Sequence, residues 1–173
     1  QKGLRVVRLK AGDPTVFARL DEEIEAVEAA GLRYTIQPGI TAASAAAAGI
    51  GQSLTQRGRN SALRIMTGHD IAGFAEQDWR SLAAPGQVAA IYMGKRAARF
   101  LQGRLMIFGA DPDTPVTVVE NASRAQARTL ATTLRDLPRA LTTAGLDGPA
   151  VMLFGLAPRD AQAALPLLQE EFA

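Results

Sequence analysis

Apolar residues recur along this chain in two rhythms. Apolar-rich runs at Leu4–Leu9 (LRVVRL), Leu63–Thr67, Val88–Met93, Val116–Glu120 and Val151–Phe154 read as buried strands. Tyr34–Gln37 reads as one more strand, ended by Pro38-Gly39, and the weak alternation over Ala127–Leu134 predicts another. Helical spacing takes over elsewhere. Val16, Leu20, Ile24 and Val27 mark a helix for which Gly31 suits the position just past the end. Thr41 can cap a small-residue helix through Ala48, which Gly49 and Gly51 break. Ala97, Leu101, Leu105 and Phe108 mark a helix closed by Gly109. Leu137–Ala144 and Ala161–Phe172 complete the set, with Pro138 confined to a helix start. Strands alternating with helices predict an α/β fold with mainly parallel sheets. The glycines and polar residues over Gly49–Ser53 suggest a boundary there. Residues 1–50 would then be the carboxyl-terminal portion of a first, incomplete α/β domain, and residues 51–173 a second.

Composition narrows the chemistry. The 173 residues are 47% hydrophobic, enough for one full domain or one and part of another. There are no cysteines and one histidine, His69, which excludes disulfides, thiol nucleophiles and a histidine-rich metal centre. No apolar run is long enough to span a membrane, so a cytoplasmic protein is expected. A net charge of +2 is no nucleic-acid footprint. Of the 19 basic residues 16 are Arg, the better fork for carboxylates.

Three segments place small residues after an apolar run, where ligands bind in open α/β sheets. Lys10-Ala11-Gly12-Asp13-Pro14 offers close backbone approach at Gly12 and an acceptor for an amine or ribose at Asp13. Each feature also suits an ordinary strand-to-helix turn. Pro38-Gly39-Ile40-Thr41-Ala42-Ala43-Ser44 leaves backbone N–H groups open at a helix start, or simply packs that helix closely. Ile91-Tyr92-Met93-Gly94 ends with a flexible thioether suited to the core or to an adenine or macrocycle pocket.

The ordered string VVRLKAGDPTVFARLDEE, PGITAASAAAAGI, SLTQRGR, TGH, IYMG and PVTVVENAS resembles the uroporphyrinogen-III C-methyltransferases, including the methylase part of siroheme synthases. The resemblance runs over nearly the whole chain. It implies the tetrapyrrole methylase fold: a homodimer of two α/β domains, with S-adenosylmethionine in a cleft between the domains. It also implies the reaction, two methyl transfers from that cofactor to uroporphyrinogen III, giving precorrin-2 and S-adenosylhomocysteine. By the family's motifs, Ala11, Gly12, Asp13, Val16, Thr41, Ala42, Met93 and Ala122 would contact the cofactor. Arg19, Arg57 and Met93 would contact the tetrapyrrole, and Arg19, Glu22 and His69 would fall at catalytic positions. No metal is implied. The polycarboxylate substrate suits Arg19 and Arg57 as clamps. Glu22 or His69 suits proton removal better than a guanidinium does.

The sequence departs from the family at several motifs. Its first motif glycine is Ala11, and FGRGGEE becomes Phe17-Ala18-Arg19-Leu20-Asp21-Glu22-Glu23. PLTHR becomes Ser53-Leu54-Thr55-Gln56-Arg57, and ENG becomes Glu120-Asn121-Ala122. The family's opening strand, glycine-rich loop and acidic residue have no counterpart in Gln1–Leu9, so this chain alone is expected to be inactive. A methylase acting on another precorrin and a non-catalytic cofactor-binding remnant are the alternative expectations.

Overall fold

The computed structural model describes residues 3–162, and the chain divides into two compact units, residues 1–42 and 43–173. The helix expected over Ala161–Phe172 lies mostly outside the described residues, whose last helix is α6, Arg159–Gln162.

The first unit holds one complete helix, α1, Leu20–Ala29. Asp21, Glu22 and Glu23 in its first turn complement the positive end of the helix. At the other end Gly31 takes φ 66°, with Gly31 N–H donating to Glu28 O at 2.9 Å and Leu32 N–H to Val27 O at 3.1 Å. That double bond pattern is the reason a glycine follows this helix. The helix begins at Leu20, because Arg19 adopts a left-handed backbone (φ 55°) that interrupts the spacing set by Val16. The strands expected at Leu4–Leu9 and Tyr34–Gln37 are not formed among the described residues. An apolar run becomes a strand only when a ladder partner takes its N–H and C=O groups, and neither segment has one here. Val6 and Val7 are accordingly 84% and 80% exposed.

The second unit is a three-layer sandwich. It starts with α2, Ala42–Gly49, most of which belongs here because Ala43, Ala46 and Ala47 pack with Ile50 into this unit's core. The compact units therefore divide after Ala42, earlier than the glycine cluster at Gly49–Ser53 suggests. Five strands form the sheet: β1, Arg64–Thr67; β4, Ala89–Tyr92; β5, Pro115–Glu120; β6, Arg128–Thr133; and β7, Ala150–Phe154. Their spatial order is β1-β4-β7-β5-β6.

Only β1 and β4 pair in parallel; β4–β7, β5–β7 and β5–β6 are antiparallel. The sheet is thus mixed rather than mainly parallel. The expectation failed because an apolar run records burial and not direction. Burial on both faces gives continuous apolar strands, usually the mark of parallel sheets. On one face Ala89, Ile91, Val116, Val118, Met152 and Phe154 meet Trp79, Leu101, Leu105 and Leu137. On the other, Val88, Ala90, Val119, Val151 and Leu153 meet the alanines of α2. The helices on the first face are α3, Trp79–Leu82; α4, Ala98–Ile107; and α5, Leu137–Ala144.

A small hairpin, β2 (His69–Asp70) against β3 (Gly73–Phe74), leaves the end of β1. Asp70 Oδ1 closes it by accepting from Ala72 N–H at 2.8 Å and Gly73 N–H at 3.1 Å. Among the described residues no helix is long and apolar enough to cross a membrane, and no group of His and acidic residues could hold a metal ion.

Candidate functional site

Strand direction decides which residues meet. β1, β4 and β5 run the same way, while β7 and β6 run against them. The carboxyl ends of β1, β4 and β5 therefore share one edge of the sheet, together with the segment that enters β7. Gly68-His69, Met93-Gly94 and Asn121-Ala122 all follow strands that end there.

Backbone meets backbone at the first two ends. Gly68 N–H donates to Tyr92 O at 2.7 Å, extending the β1–β4 ladder by one bond. A Cβ at Gly68 would lie 3.0 Å from Gly94 Cα and 3.1 Å from Met93 O, so a glycine at 68 suits this approach, while a Cβ at Gly94 would meet Met152 Sδ at 2.9 Å. Met93 sits between them in the left-handed region, at φ 53°, with its side chain 52% exposed. An L-residue rarely adopts that backbone, and here it turns a thioether out of the strand end. Tyr92 Oη accepts from Ala43 N–H at 3.0 Å, so one N–H at the start of α2 is already satisfied by the protein.

His69 begins the hairpin. Its ring meets Phe74 edge-on at 4.8 Å, and Phe74 stacks on Phe100 at 4.9 Å. Its Nε2 is buried without a hydrogen-bond partner. Such an atom costs free energy unless something meets it.

At the end of β5, Glu120 is buried while Ala122 is half-buried beside the alanine-rich core. Glu120 Oε1 accepts from Gly148 N–H at 2.5 Å, and Oε2 lies 3.7 Å from Arg128 Nη1. Asn121 adopts φ 52°, and its N–H donates to Pro149 O at 2.9 Å.

The Ser53–Asn60 segment holds Arg57 exposed at its tip. Its neighbour Arg59 turns inward instead. Arg59 Nη2 donates to Ser53 O at 2.5 Å and Nε to Asn60 Oδ1 at 3.0 Å, while Nη1 is buried without a partner. Burial holds the Arg59 guanidinium below its ordinary pKa.

In the first unit, Ala11 and Gly12 are exposed and Val16 half-buried. Asp13 organises the turn. Its Oδ1 accepts from Thr15 Oγ1 at 2.6 Å and from Thr15 N–H at 2.8 Å, and its Oδ2 from Gly39 N–H at 3.2 Å. The Thr15 hydroxyl, followed by the backbone N–H groups, holds this carboxyl below the usual aspartate value. Gly12 takes φ 74°, and a Cβ at Gly39 would come within 2.2 Å of Gly12 O. Only glycine permits that crossing of the two loops. Thr41 and Ala42 follow, both half-buried.

Arg19 and Glu22 pair with each other across one helical turn. Arg19 Nε donates to Glu22 Oε1 at 2.7 Å, and Nη2 to Oε2. The hydrogen bond from Arg19 lowers the Glu22 pKa below its ordinary value and raises that of Arg19. Glu22 is a weaker base in this pairing than a free glutamate.

Of the residues singled out in the sequence, His69, Met93 and Ala122 thus follow strands that end on one edge. Arg57 stands on a separate loop, and Ala11, Gly12, Asp13, Val16, Arg19, Glu22, Thr41 and Ala42 belong to the first unit. Sequence reasoning gave no role to Lys95, Glu120, Gly148 and Arg59. Two charges just beside the candidate contacts Met93 and Ala122 were the available signal for the first two.

Comparison with known proteins shows the family. Residues 1–138 match the family described as Tetrapyrrole (Corrin/Porphyrin) Methylases. The siroheme synthase of Gluconacetobacter diazotrophicus is 45% identical over 154 residues, 88% of this chain and 33% of that protein. The siroheme synthase of Edwardsiella ictaluri is 41% identical over 155 residues, 90% of this chain and 33% of its own length. The chain thus spans about a third of the length of these curated relatives. Among solved structures, uroporphyrin-III C-methyl transferase from Thermus thermophilus, complexed with S-adenosyl homocysteine, aligns with a TM-score of 0.70 and 29% identity, covering 87% of this chain and 65% of that one. A cobalt precorrin-4 methyltransferase aligns with a TM-score of 0.75 and 25% identity, over 83% of this chain and 61% of its own. The chain belongs to the tetrapyrrole methylase family.

Proposed function

We propose that this chain binds S-adenosylmethionine and a tetrapyrrole as part of a C-methyltransferase that converts uroporphyrinogen III to precorrin-2. The observation that carries the reading is Met93, held in a left-handed turn at the end of β4 with its thioether exposed. A strained, exposed residue at a strand end is where open α/β sheets handle ligands. Similarity to siroheme synthases at 41% and 45% identity supports the same activity. A cytoplasmic homodimer is part of this reading.

When bound, the cofactor supplies an electrophilic methyl group. The chain's own residues have the work of alignment, which dominates a transfer of this kind. In the second unit, Met93 and Ala122 offer apolar contact suited to an adenosyl group. In the first, Ala11, Gly12, Val16, Thr41 and Ala42 are assigned to the cofactor. Asp13 serves them by shaping the turn, since its oxygens already hold Thr15 and Gly39. Arg57 is exposed at its loop tip and fits a clamp for substrate carboxylates. Arg19 fits the same role by exchanging Glu22 for a substrate carboxylate. For the proton that leaves the substrate carbon, the His69 imidazole at the sheet edge is the candidate, and Glu22 is disfavoured by its pairing.

A second reading keeps the chemistry and changes the tetrapyrrole. It is favoured by the fold match to a cobalt precorrin-4 methyltransferase. Calorimetric titration with S-adenosylhomocysteine and, separately, with uroporphyrinogen III and a methylated precorrin distinguishes the two. Tighter binding of the precorrin selects the second reading, and binding of no tetrapyrrole and no S-adenosylhomocysteine defeats both. Arg57→Ala should weaken the tetrapyrrole by roughly 1.5–3 kcal/mol and leave S-adenosylhomocysteine unchanged. An unchanged tetrapyrrole affinity returns Arg57 to an ordinary solvated charge.

A further inference from the structure

The segment that enters β7 emerges between the ends of β4 and β5, because β7 lies between those strands and runs against both. Tyr92 pairs with Val151 and Glu120 with Ala150, so residues 146–149 are flanked by Met93 on one side and Asn121 on the other. Side chains from both flanks grip this segment. Lys95 Nζ donates to Leu146 O at 2.7 Å and also to Gly148 O. Glu120 Oε1 accepts from Gly148 N–H, and Asn121 N–H donates to Pro149 O. Both backbone polar groups of Gly148 are therefore held by charged side chains, one from each strand end. The Asn121 side chain lies over Gly148: a Cβ there would be 2.7 Å from Asn121 Nδ2 and 2.9 Å from Oδ1.

Both flanking turns need such support. Met93 and Asn121 are non-glycine residues at φ 53° and φ 52°. Conformations of this kind persist only where the surrounding structure over-determines them. Glu120 is 3% exposed and its second oxygen faces Arg128, so its charge is spent inside the protein. Lys95 likewise points its ammonium at carbonyl oxygens.

We propose that Lys95 and Glu120 are positioning residues for cofactor binding, which act through Gly148 to hold the Met93 and Asn121-Ala122 turns at a fixed separation. This rests on the assignment of Met93 and Ala122 to the cofactor. The two side chains work on one peptide unit from opposite sides, so they form a single device rather than two independent supports. Loss of either leaves Gly148 free to shift, and both turns shift with it.

The test uses the whole chain, with S-adenosylhomocysteine as the probe and calorimetry as the readout. Lys95→Met and Glu120→Gln should each weaken binding about ten-fold, in line with the loss of one charge-assisted hydrogen bond. Lys95→Arg, which keeps a donor, should restore most of the affinity. The double variant should be no weaker than the worse single one, because both act on one residue. Leu141→Ala, in a half-buried position on α5, serves as a control that lowers thermal stability. Affinity loss that merely follows the fall in melting temperature, on the same line as Leu141→Ala, would overturn the proposal. Additive losses in the double variant, or full affinity in Lys95→Met, would overturn it too. Failure of the unmodified chain to bind S-adenosylhomocysteine would instead defeat the functional reading on which the proposal stands.

Discussion

The turn at residues 11–16 and the sheet edge at residues 92–95 carry similar sequence signals: an apolar run, then a glycine and small or flexible residues. They are built in different ways. The first rests on one carboxylate, Asp13, which joins its own turn at Thr15 to the next loop at Gly39, while the apolar run before it stays exposed. The second is shaped at long range. Its glycine is pressed between strands, its tyrosine caps a distant helix start, and its lysine reaches the segment before β7. A motif in sequence thus specifies a turn, while only sheet register makes that turn stiff. The first region should respond to local changes in its hydrogen bonds, and the second to changes in packing far away.

The largest test of that difference uses two glycines with the same crowding. A Cβ at Gly39 would lie 2.2 Å from Gly12 O, and one at Gly155 would lie 2.2 Å from Gln87 O. Gly155 also has φ 79° and sits just past β7, where its N–H donates to Pro115 O at 2.8 Å. Gly155→Ala should destabilise the second unit by more than about 3 kcal/mol, combining overpacking with left-handed strain. Chemical denaturation followed through Trp79 fluorescence measures this. Gly39→Ala should act locally, by removing exchange protection from the Gly39 amide. Equal losses of stability from the two variants would erase the distinction between local and register-held turns.

The same distinction explains what the sequence could tell. Runs such as Val116–Glu120 and Val151–Phe154 were legible because burial on both faces keeps them mainly apolar, with Thr117 and Glu120 the buried polar exceptions. Their directions were not legible, since side-chain pattern is the same for parallel and antiparallel pairing. The hairpin at His69–Phe74 and the short helix Trp79–Leu82 fall below the length at which a period can be recognised. Leu4–Leu9 has the composition of a strand, but composition does not supply a partner. At the candidate site, Met93 and Ala122 could be picked out by motif. Gly148 could not, because its role depends on contacts from Lys95 and Glu120 that are distant in sequence. Arg57 and Arg59 are the same residue type two positions apart, and only the fold shows that one is exposed and the other turned inward.

A smaller effect should follow from replacing Met93 by glycine. The backbone at φ 53° suits glycine better than methionine, and the side chain is half exposed. Met93→Gly should therefore leave thermal stability unchanged or raise it by up to about 1 kcal/mol. Affinity for S-adenosylhomocysteine should fall several-fold if the thioether is spent on the cofactor, a trade between stability and function. A loss of stability with affinity intact would show that Met93 supports packing instead.

The smallest expected effects are titrations that read one carboxylate in each unit. Asp13 is held below its ordinary value of 3.8, first by the Thr15 hydroxyl. Glu76 is held below 4.5, first by the Trp79 indole N–H at 2.7 Å and then by Arg104. In both cases the folded pKa is depressed. Each charge therefore contributes stability that is present above the ordinary value and is lost as pH falls through the folded value. No change is expected near neutrality, and the window lies at acid pH. Nuclear magnetic resonance should show the Thr15 and Gly39 amides titrating together with one apparent pKa below 3.8, since one carboxylate holds both. The Trp79 indole proton should titrate separately, below 4.5, and Glu76→Gln should abolish that transition. Independent midpoints for Thr15 and Gly39 would mean that Asp13 does not organise its turn. The comparison between a locally held turn and a register-held edge would then lose its first half.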